Sequence, residues 1–310
     1  MSAPSSGARI LVTGGAGFLG GRIAAALAGM PGVAEVTVLD RAPAEGPFRS
    51  VTGDVAAIGR LLPPGYAADS IIHAAAITSQ ASQADPAAAW AINVEGTRAV
   101  LGWCRGLACP PRLVLLSSVA VLAGGVAEPD EASAPRPAST YGMTKAVAEL
   151  LVAEATRRGE VKGVALRLPI SILRTTRSGA PGAGYLSDLV LHARAGRAFV
   201  APLPADRDLP VASVRAAVAL ACRAALAPSL PAPLLHLPSL AVSGEAMLAA
   251  LEAGGTAARH LLRFAPDPSV ERLIAGWPRR LATRHPAFLD GVTDADLGAV
   301  LATGAGDAPG

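Results

Sequence analysis

Apolar residues in the first half of the chain come in short unbroken runs rather than in strict alternation. Ile10-Leu11-Val12, Val36-Thr37-Val38-Leu39, Ile71-Ile72-His73, Leu113 to Leu116 and Val164-Ala165-Leu166-Arg167-Leu168 are such runs, several of them closed by Gly, Asp, Ser or Pro. Strands apolar on both faces belong in a parallel sheet covered by helices on both sides. Ser50-Val51-Thr52, ahead of Gly53-Asp54, reads as a further strand. Between the runs lie helical stretches: Gly20 to Ala28, stopped by Gly29 and Pro31, then Ala87 to Cys104, then Tyr141 to Arg158. Strand and helix in alternation predict an α/β, doubly wound parallel sheet over residues 1–170. Beyond Pro169 the pattern loosens, with loops at Arg174 to Gly184 and Pro202 to Pro210 and helices near Val211 to Leu226 and Gly244 to Glu252. Residues 171–310 are expected to form a smaller substrate-binding lobe with a frayed Gly/Ala tail, segments near 205–240 returning to the first domain.

Composition narrows the function classes. At 310 residues, with 51% apolar and 16% charged, the chain can bury a core without disulfides or metal. A net charge of +3, spread along the chain, predicts no nucleic-acid face. Polar or charged residues interrupt the apolar stretches before they reach spanning length; Leu113 to Ala127 contains Ser117, Ser118, Gly124 and Gly125, so no membrane segment is expected. Cys104, Cys109 and Cys222 are odd in number and lack CxxC spacing, and His192, His236, His260 and His285 are scattered, so neither a disulfide framework nor a metal site is expected. Met1 to Ala8 is polar, and a reducing, cytoplasmic setting is the expectation.

Thr13-Gly14-Gly15-Ala16-Gly17-Phe18-Leu19-Gly20 joins the first strand to the first helix. Gly15, Gly17 and Gly20 satisfy GxGxxG spacing, and Gly14, Gly17 and Gly20 satisfy GxxGxxG. A Rossmann-type dinucleotide site needs such a turn: backbone must approach a pyrophosphate, and the helix N-terminus must aim free N–H groups at it. Asp40 ends the second strand 20 residues after Gly20, where a carboxylate accepts hydrogen bonds from ribose hydroxyls and repels the extra phosphate of NADP. NAD is therefore the expected cofactor, although neighbouring Arg41 could accept that phosphate. Asp54, before Val55, is either an adenine-side contact or an ordinary turn aspartate. The cofactor-facing candidates in this stretch are Gly14, Gly17, Phe18, Leu19, Gly20, Asp40, Arg41, Asp54 and Val55. The competing reading is a glycine turn that merely packs a helix on a strand.

Tyr141 and Lys145 are four residues apart in a helical segment and so share one face. A phenol of pKa ~10 is a poor base at neutral pH, and an ammonium group nearby lowers that value. Ser117 and Ser118 end the preceding strand, at the edge where open α/β sheets bind ligands. With only three tyrosines and two lysines in the chain, this coincidence carries weight against a surface tyrosine beside a solvated lysine.

In this order the glycine loop, Asp40, Asp54, His73-Ala74-Ala75-Ala76, Asn93, the strand-end serine and Tyr141-xxx-Lys145 resemble the extended short-chain dehydrogenase/reductase family, from about Arg9 to Trp277. The resemblance implies Ser118 as the catalytic serine and Tyr141 as general base. It also implies Lys145 as the base's partner and a hold on the nicotinamide ribose, and Asn93 as support for the active-site hydrogen bonds. Ala74, Ala75, Ala76 and Pro169 would lie along the cofactor, and His73 would satisfy backbone groups beside it. Ser117-Ser118-Val119-Ala120-Val121, Leu166-Arg167-Leu168-Pro169, Phe264 to Pro268 and Gly276-Trp277-Pro278 are similar to the family's D-erythronate-oxidising branch. That likeness implies oxidation of the 2-hydroxyl of a small sugar acid and a homodimer through the helices near Ala87 to Cys104 and Tyr141 to Arg158. The sequence departs from the branch at Thr175-Thr176-Arg177 and in the Ala205 to Val211 loop.

A sugar-acid carboxylate needs a cationic or N–H-rich partner. Arg174, just past the strand end, is the first candidate, with Arg177, Arg207 and Arg215 as alternatives. Two other functions compete: a nucleotide-sugar epimerase or dehydratase of the same family, and a non-catalytic dinucleotide sensor, which would need no proton acceptor.

Overall fold

The computed structural model describes residues 7–173 and 184–302. In chain order the strands and α-helices are β1 (Ala8–Thr13), α1 (Phe18–Ala28), β2 (Val33–Asp40), β3 (Arg49–Thr52), α2 (Ile58–Leu61), β4 (Ser70–His73), α3 (Ser79–Ala84), α4 (Pro86–Ala89), α5 (Gly96–Cys104), β5 (Arg112–Ser118), α6 (Thr140–Arg157) and β6 (Lys162–Leu168). There follow β7 (Ile170–Ile172), α7 (Tyr185–Arg194), β8 (Phe199–Ala201), β9 (Leu209–Ser213), α8 (Val214–Leu226), β10 (Leu234–His236), β11 (Leu240–Val242), α9 (Gly244–Ala253), β12 (Leu262–Phe264), α10 (Pro268–Leu273) and α11 (Leu297–Ala302). The described residues fall into two compact units. One comprises the chain up to Ser117 with Met143–Arg167 and Val218–Leu235, the other Ser118–Gly142, Leu168–Ala217 and the chain from His236.

The first unit is built on a seven-stranded sheet of order β10-β6-β5-β4-β1-β2-β3. Pairing is parallel between β1 and β2, β1 and β4, β2 and β3, and β4 and β5. The chain starts in the middle, winds out to β3 and then returns to the other side, so the order reverses between β1 and β4. That reversal opens a crevice at the carboxyl ends of the strands. The expected apolar runs are the strands: on one face Leu11, Ile71, Leu113 and Leu115 pack with Val100 and Cys104 of α5 and Ala148 and Val152 of α6, and on the other Ile10, Val12, Ile72 and Val114 are buried as well. Thr13 lies level with His73, and His73 with Leu115, so β5 runs three residues beyond that level to Ser118.

Two elements differ from the expectation. The helix expected from Val211 begins at Val214. Leu209–Ser213 is instead the central strand of a three-stranded sheet in the second unit, parallel to β7 and antiparallel to β11. Val211 is buried between Ile170 and Leu240, and Ser213 Oγ accepts from Ala216 N, so the serine caps the helix where the strand ends. The helix expected over Ala87 to Cys104 is interrupted: α4 leads into a π-helical stretch at Trp90–Glu95 before α5. Such wide turns inside helices are frequent at functional sites. A parallel pair, β8 and β12, completes the second unit's strands.

Candidate functional site

A cleft opens at the strand ends of the first unit. Gly14, Gly17, Asp40, Arg41, Asp54, Val55 and Ala74 to Ala76 line it, together with Leu39, Gly53, Ile77 and Ile92, which the motifs did not point to. Local packing decides between the two glycine spacings. Gly14 has φ +74°, and a Cβ there would lie 2.4 Å from Ala75 N, so the turn rests directly on the backbone after β4. A Cβ on Gly20 would lie 2.1 Å from Gly14 O, so Gly20 seats α1 against the turn and does not itself line the cleft. Gly15 packs on Val38, away from the cleft. Gly14 and Gly17 thus line the cleft, and Gly20 seats the helix behind them. Phe18 and Leu19 open α1 outside the lining; the Arg22 guanidinium stacks 4.1 Å over the Phe18 ring and donates to Phe18 O.

Asp40 does two jobs in the fold. Its Oδ2 accepts from Ala16 N at 3.1 Å and its Oδ1 from Ala42 N at 3.1 Å, so the carboxylate fixes the glycine turn. A carboxylate has about four lone-pair sites, which leaves capacity for a ribose diol. Asp54 accepts from Ala56 N and caps the short 3₁₀ turn at Val55–Ala57, while also lining the cleft. A narrow glycine turn, an anion-seeking helix start and an acid at the far end fit a dinucleotide.

His73 departs from the expectation. It is buried at the end of β4, with Nδ1 2.7 Å from Thr13 Oγ1 and Nε2 3.0 Å from Thr97 Oγ1, so it pairs with two hydroxyls rather than with backbone. Burial, and then the charge of Lys145, lower its pKa to about 3, so it stays neutral. It ties β1 and β4 to α5.

Asn93 sits in the π-helical stretch, buried. Its Oδ1 accepts from Ile77 N, and its Nδ2 donates to Ile77 O and to Thr144 Oγ1. The carboxamide thus clamps the cleft wall to α6 one residue before Lys145. Lys145 is buried and donates from Nζ to Leu116 O at 2.8 Å, and burial lowers its pKa to about 8 against the opposing pull of Glu149. Glu149, one turn further along α6, accepts from Ser117 Oγ and is forked by Arg167, with Nε–Oε1 3.0 Å and Nη2–Oε2 2.7 Å. Sequence reasoning missed this pair, yet a signal was present: an arginine inside an apolar strand needs a buried acid, and Glu149 follows Lys145 at helical spacing.

In the second unit Ser118 caps the 3₁₀ turn Val119–Leu122 by accepting from Ala120 N at 3.2 Å. Tyr141 stands in the first turn of α6, half-buried, and Gly142 beside it packs on this same turn: a Cβ there would lie 2.2 Å from Ala120 O. Gly142 therefore brings the tyrosine's helix end close to the segment that follows Ser118. The turn is backed in its turn by Gly124 N donating to Gly276 O, from the Gly276-Trp277-Pro278 segment. Pro169 is buried between β6 and β7.

Of the candidate cations, Arg174 and Arg177 lie outside the described residues. Arg215 is engaged with Asp294 at 3.2 Å, and that aspartate also takes Ser213 N and Oγ. Arg207 is half-buried, and its guanidinium makes long contacts to described residues, 3.4 Å to Ile274 O and 3.5 Å to Trp277 O. No described helix is long and apolar enough to cross a membrane.

Residues 10–203 match the model of the NAD dependent epimerase/dehydratase family, and the chain belongs to that family. It is an NAD-dependent enzyme of the extended short-chain dehydrogenase/reductase type. Among curated proteins it is similar to D-erythronate dehydrogenase of Cupriavidus necator, 32% identical over 94% of this chain and 96% of the relative. D-erythronate dehydrogenase of Haemophilus influenzae is 28% identical over 94% of this chain and 97% of the relative. Among solved structures, a nucleoside-diphosphate-sugar epimerase from Agrobacterium tumefaciens superposes with TM-score 0.84 at 25% identity, covering 97% of this chain and 95% of the other.

Proposed function

We propose that this chain is a dehydrogenase that oxidises the 2-hydroxyl of a small sugar acid, D-erythronate or a related tetronate, to the 2-oxo acid. The observation that carries the chemistry is the conjunction at the start of α6. Gly142, the residue after Tyr141, packs on the turn that follows Ser118, and Lys145, one helical turn on, is buried at the end of β5. The substrate class is supported by the two D-erythronate dehydrogenases aligned over nearly the whole chain.

In this reading Tyr141, as phenolate, takes the proton of the substrate hydroxyl. Ser118 donates a hydrogen bond to the same oxygen. Lys145 holds the ribose and stabilises the phenolate charge. Asn93 is a positioning group, since its carboxamide is committed to Ile77 and Thr144. Gly14, Gly17 and the start of α1 receive the pyrophosphate, Asp40 the ribose diol, Asp54 and Val55 the adenine side, and Ala74 to Ala76 and Pro169 the length of the cofactor. NAD, when bound, would supply the acceptor for the hydride on C2 of the substrate. Arg207 is our described candidate for the substrate carboxylate, because its guanidinium has long contacts to carbonyls. The assembly we propose is a homodimer through the helices over 87–104 and α6, where Trp90, Met143 and Leu150 are exposed apolar groups.

The test is reduction of NAD, followed at the nicotinamide absorbance, with D-erythronate, its epimer and five- and six-carbon aldonates. Turnover of a tetronate with NAD supports the proposal. A silent panel, together with conversion of a nucleoside-diphosphate sugar, would instead support the reading favoured by the Agrobacterium structure.

A further inference from the structure

We propose that Glu149 is a positioning residue that keeps Lys145 cationic and locks the end of β5 to α6. The proposal rests on the reading of Tyr141 and Lys145 given above and adds a residue to it. Two side chains one helical turn apart grip two consecutive residues of one strand. Lys145 Nζ donates to Leu116 O, and Glu149 accepts from Ser117 Oγ. The next residue in the chain is Ser118. Neither grip can slip alone, because Glu149 is itself held by the two-toothed fork of Arg167, a side chain only 1% exposed.

The charges decide what the carboxylate does. Facing Lys145 are Glu149 from its own helix, His73 from β4 and, behind the carboxylate, Arg167 from β6, while Tyr141 lies one turn earlier on α6. His73 is neutral, and the Glu149 carboxylate is held in place by Ser117 and Arg167. Desolvation pulls Lys145 down to about 8, and Glu149 opposes that pull. An ammonium that lost its proton near neutral pH would no longer stabilise a phenolate. Glu149 thus holds Lys145 in the useful form over the range where the enzyme must work.

The chain contains two lysines, and Lys162 is exposed, so ¹³C-lysine NMR of the full-length protein resolves the titration of Lys145 against an internal reference. In Glu149→Gln the Lys145 midpoint should fall by about one pH unit or more, with Lys162 unmoved. The ascending limb of kcat/KM should move to higher pH. An unmoved Lys145 midpoint would overturn the proposal. Because Glu149→Gln leaves Arg167 without its partner, Glu149→Gln/Arg167→Met serves as a second variant that buries no orphan charge. It should show a smaller downward shift, since the Arg167 charge that repels Lys145 is removed as well, and a midpoint that rises there would also overturn the proposal. Normal turnover by Tyr141→Phe would defeat the catalytic reading itself, whereas the lysine titration alone judges Glu149.

Discussion

The two units hold their polar groups in different ways. In the first, the cleft is lined largely by backbone and small residues at the ends of parallel strands, and its polar side chains bond to neighbours one strand or one turn away: Thr13 with His73, Asp40 with Ala16, Lys145 with Leu116. In the second, segments far apart in the chain are stapled by single acids. Glu131 takes His236 N, Thr283 Oγ1 and Arg284 N, and Asp294 takes Ser213 and Arg215. A sheet edge fixes geometry by hydrogen-bond register, which tolerates little variation. A stapled set of loops can be rearranged by changing one acid.

The sharpest way to break this contrast is at the tyrosine. Tyr141→Phe should lower kcat by about 10²–10⁴-fold, as expected for loss of a general base, while NAD binding followed by fluorescence quenching stays close to that of the unaltered protein. Nearly intact turnover would show that another group takes the proton. Next in size is Gly20→Ala. A methyl group 2.1 Å from Gly14 O cannot be accommodated without moving the turn, so NAD affinity should fall at least about tenfold. Retained affinity would show that the register-built cleft is more pliant than argued.

Asp40→Ala should raise the KM for NAD about tenfold, the loss expected for charge-assisted hydrogen bonds, and narrow the preference over NADP. A KM for NAD that does not change would remove the acid from cofactor recognition and leave it only as the brace of Ala16. The smallest effect is expected in the second unit. Burial disfavours ionisation of Glu131, but its hydrogen bonds outweigh that and hold the carboxyl below its usual range. A depressed folded-state pKa stabilises the protein above the unfolded value and ceases to do so as pH falls through the folded one. Glu131→Gln should therefore cost about 1–2 kcal/mol at pH 7, the lower part of the range because the group is only half-buried. The gap in Tm between the two proteins should close below about pH 4. A gap that persists into acid would assign the loss to packing.

The same contrast explains what could be read from the chain alone. β1, β2, β4, β5 and β6 were legible because a strand buried on both faces has a composition of its own, and the glycine turn because only glycine fits against Ala75 and Gly14. β9 was not legible: Val211-Ala212-Ser213 is apolar and short, and in a run of that length strand and helix look alike. The π-helical stretch left no trace in the spacing. Glu149 with Arg167, and Gly142 with Ala120, required knowledge of which elements meet, although the buried charge and the small residue were there to be noticed.

The wide turn at Trp90–Glu95 has an evolutionary consequence. Removing one residue from it would give a more regular helix and gain intrinsic stability. The wide turn absorbs the extra residue, so the helix beyond it would keep its direction and the change would fall on the stretch itself. Asn93, inside it, would lose the position from which it reaches Ile77 and Thr144 together. Length in this stretch should therefore tolerate less drift than sequence: substitutions can accumulate there, whereas single-residue deletions should be purged.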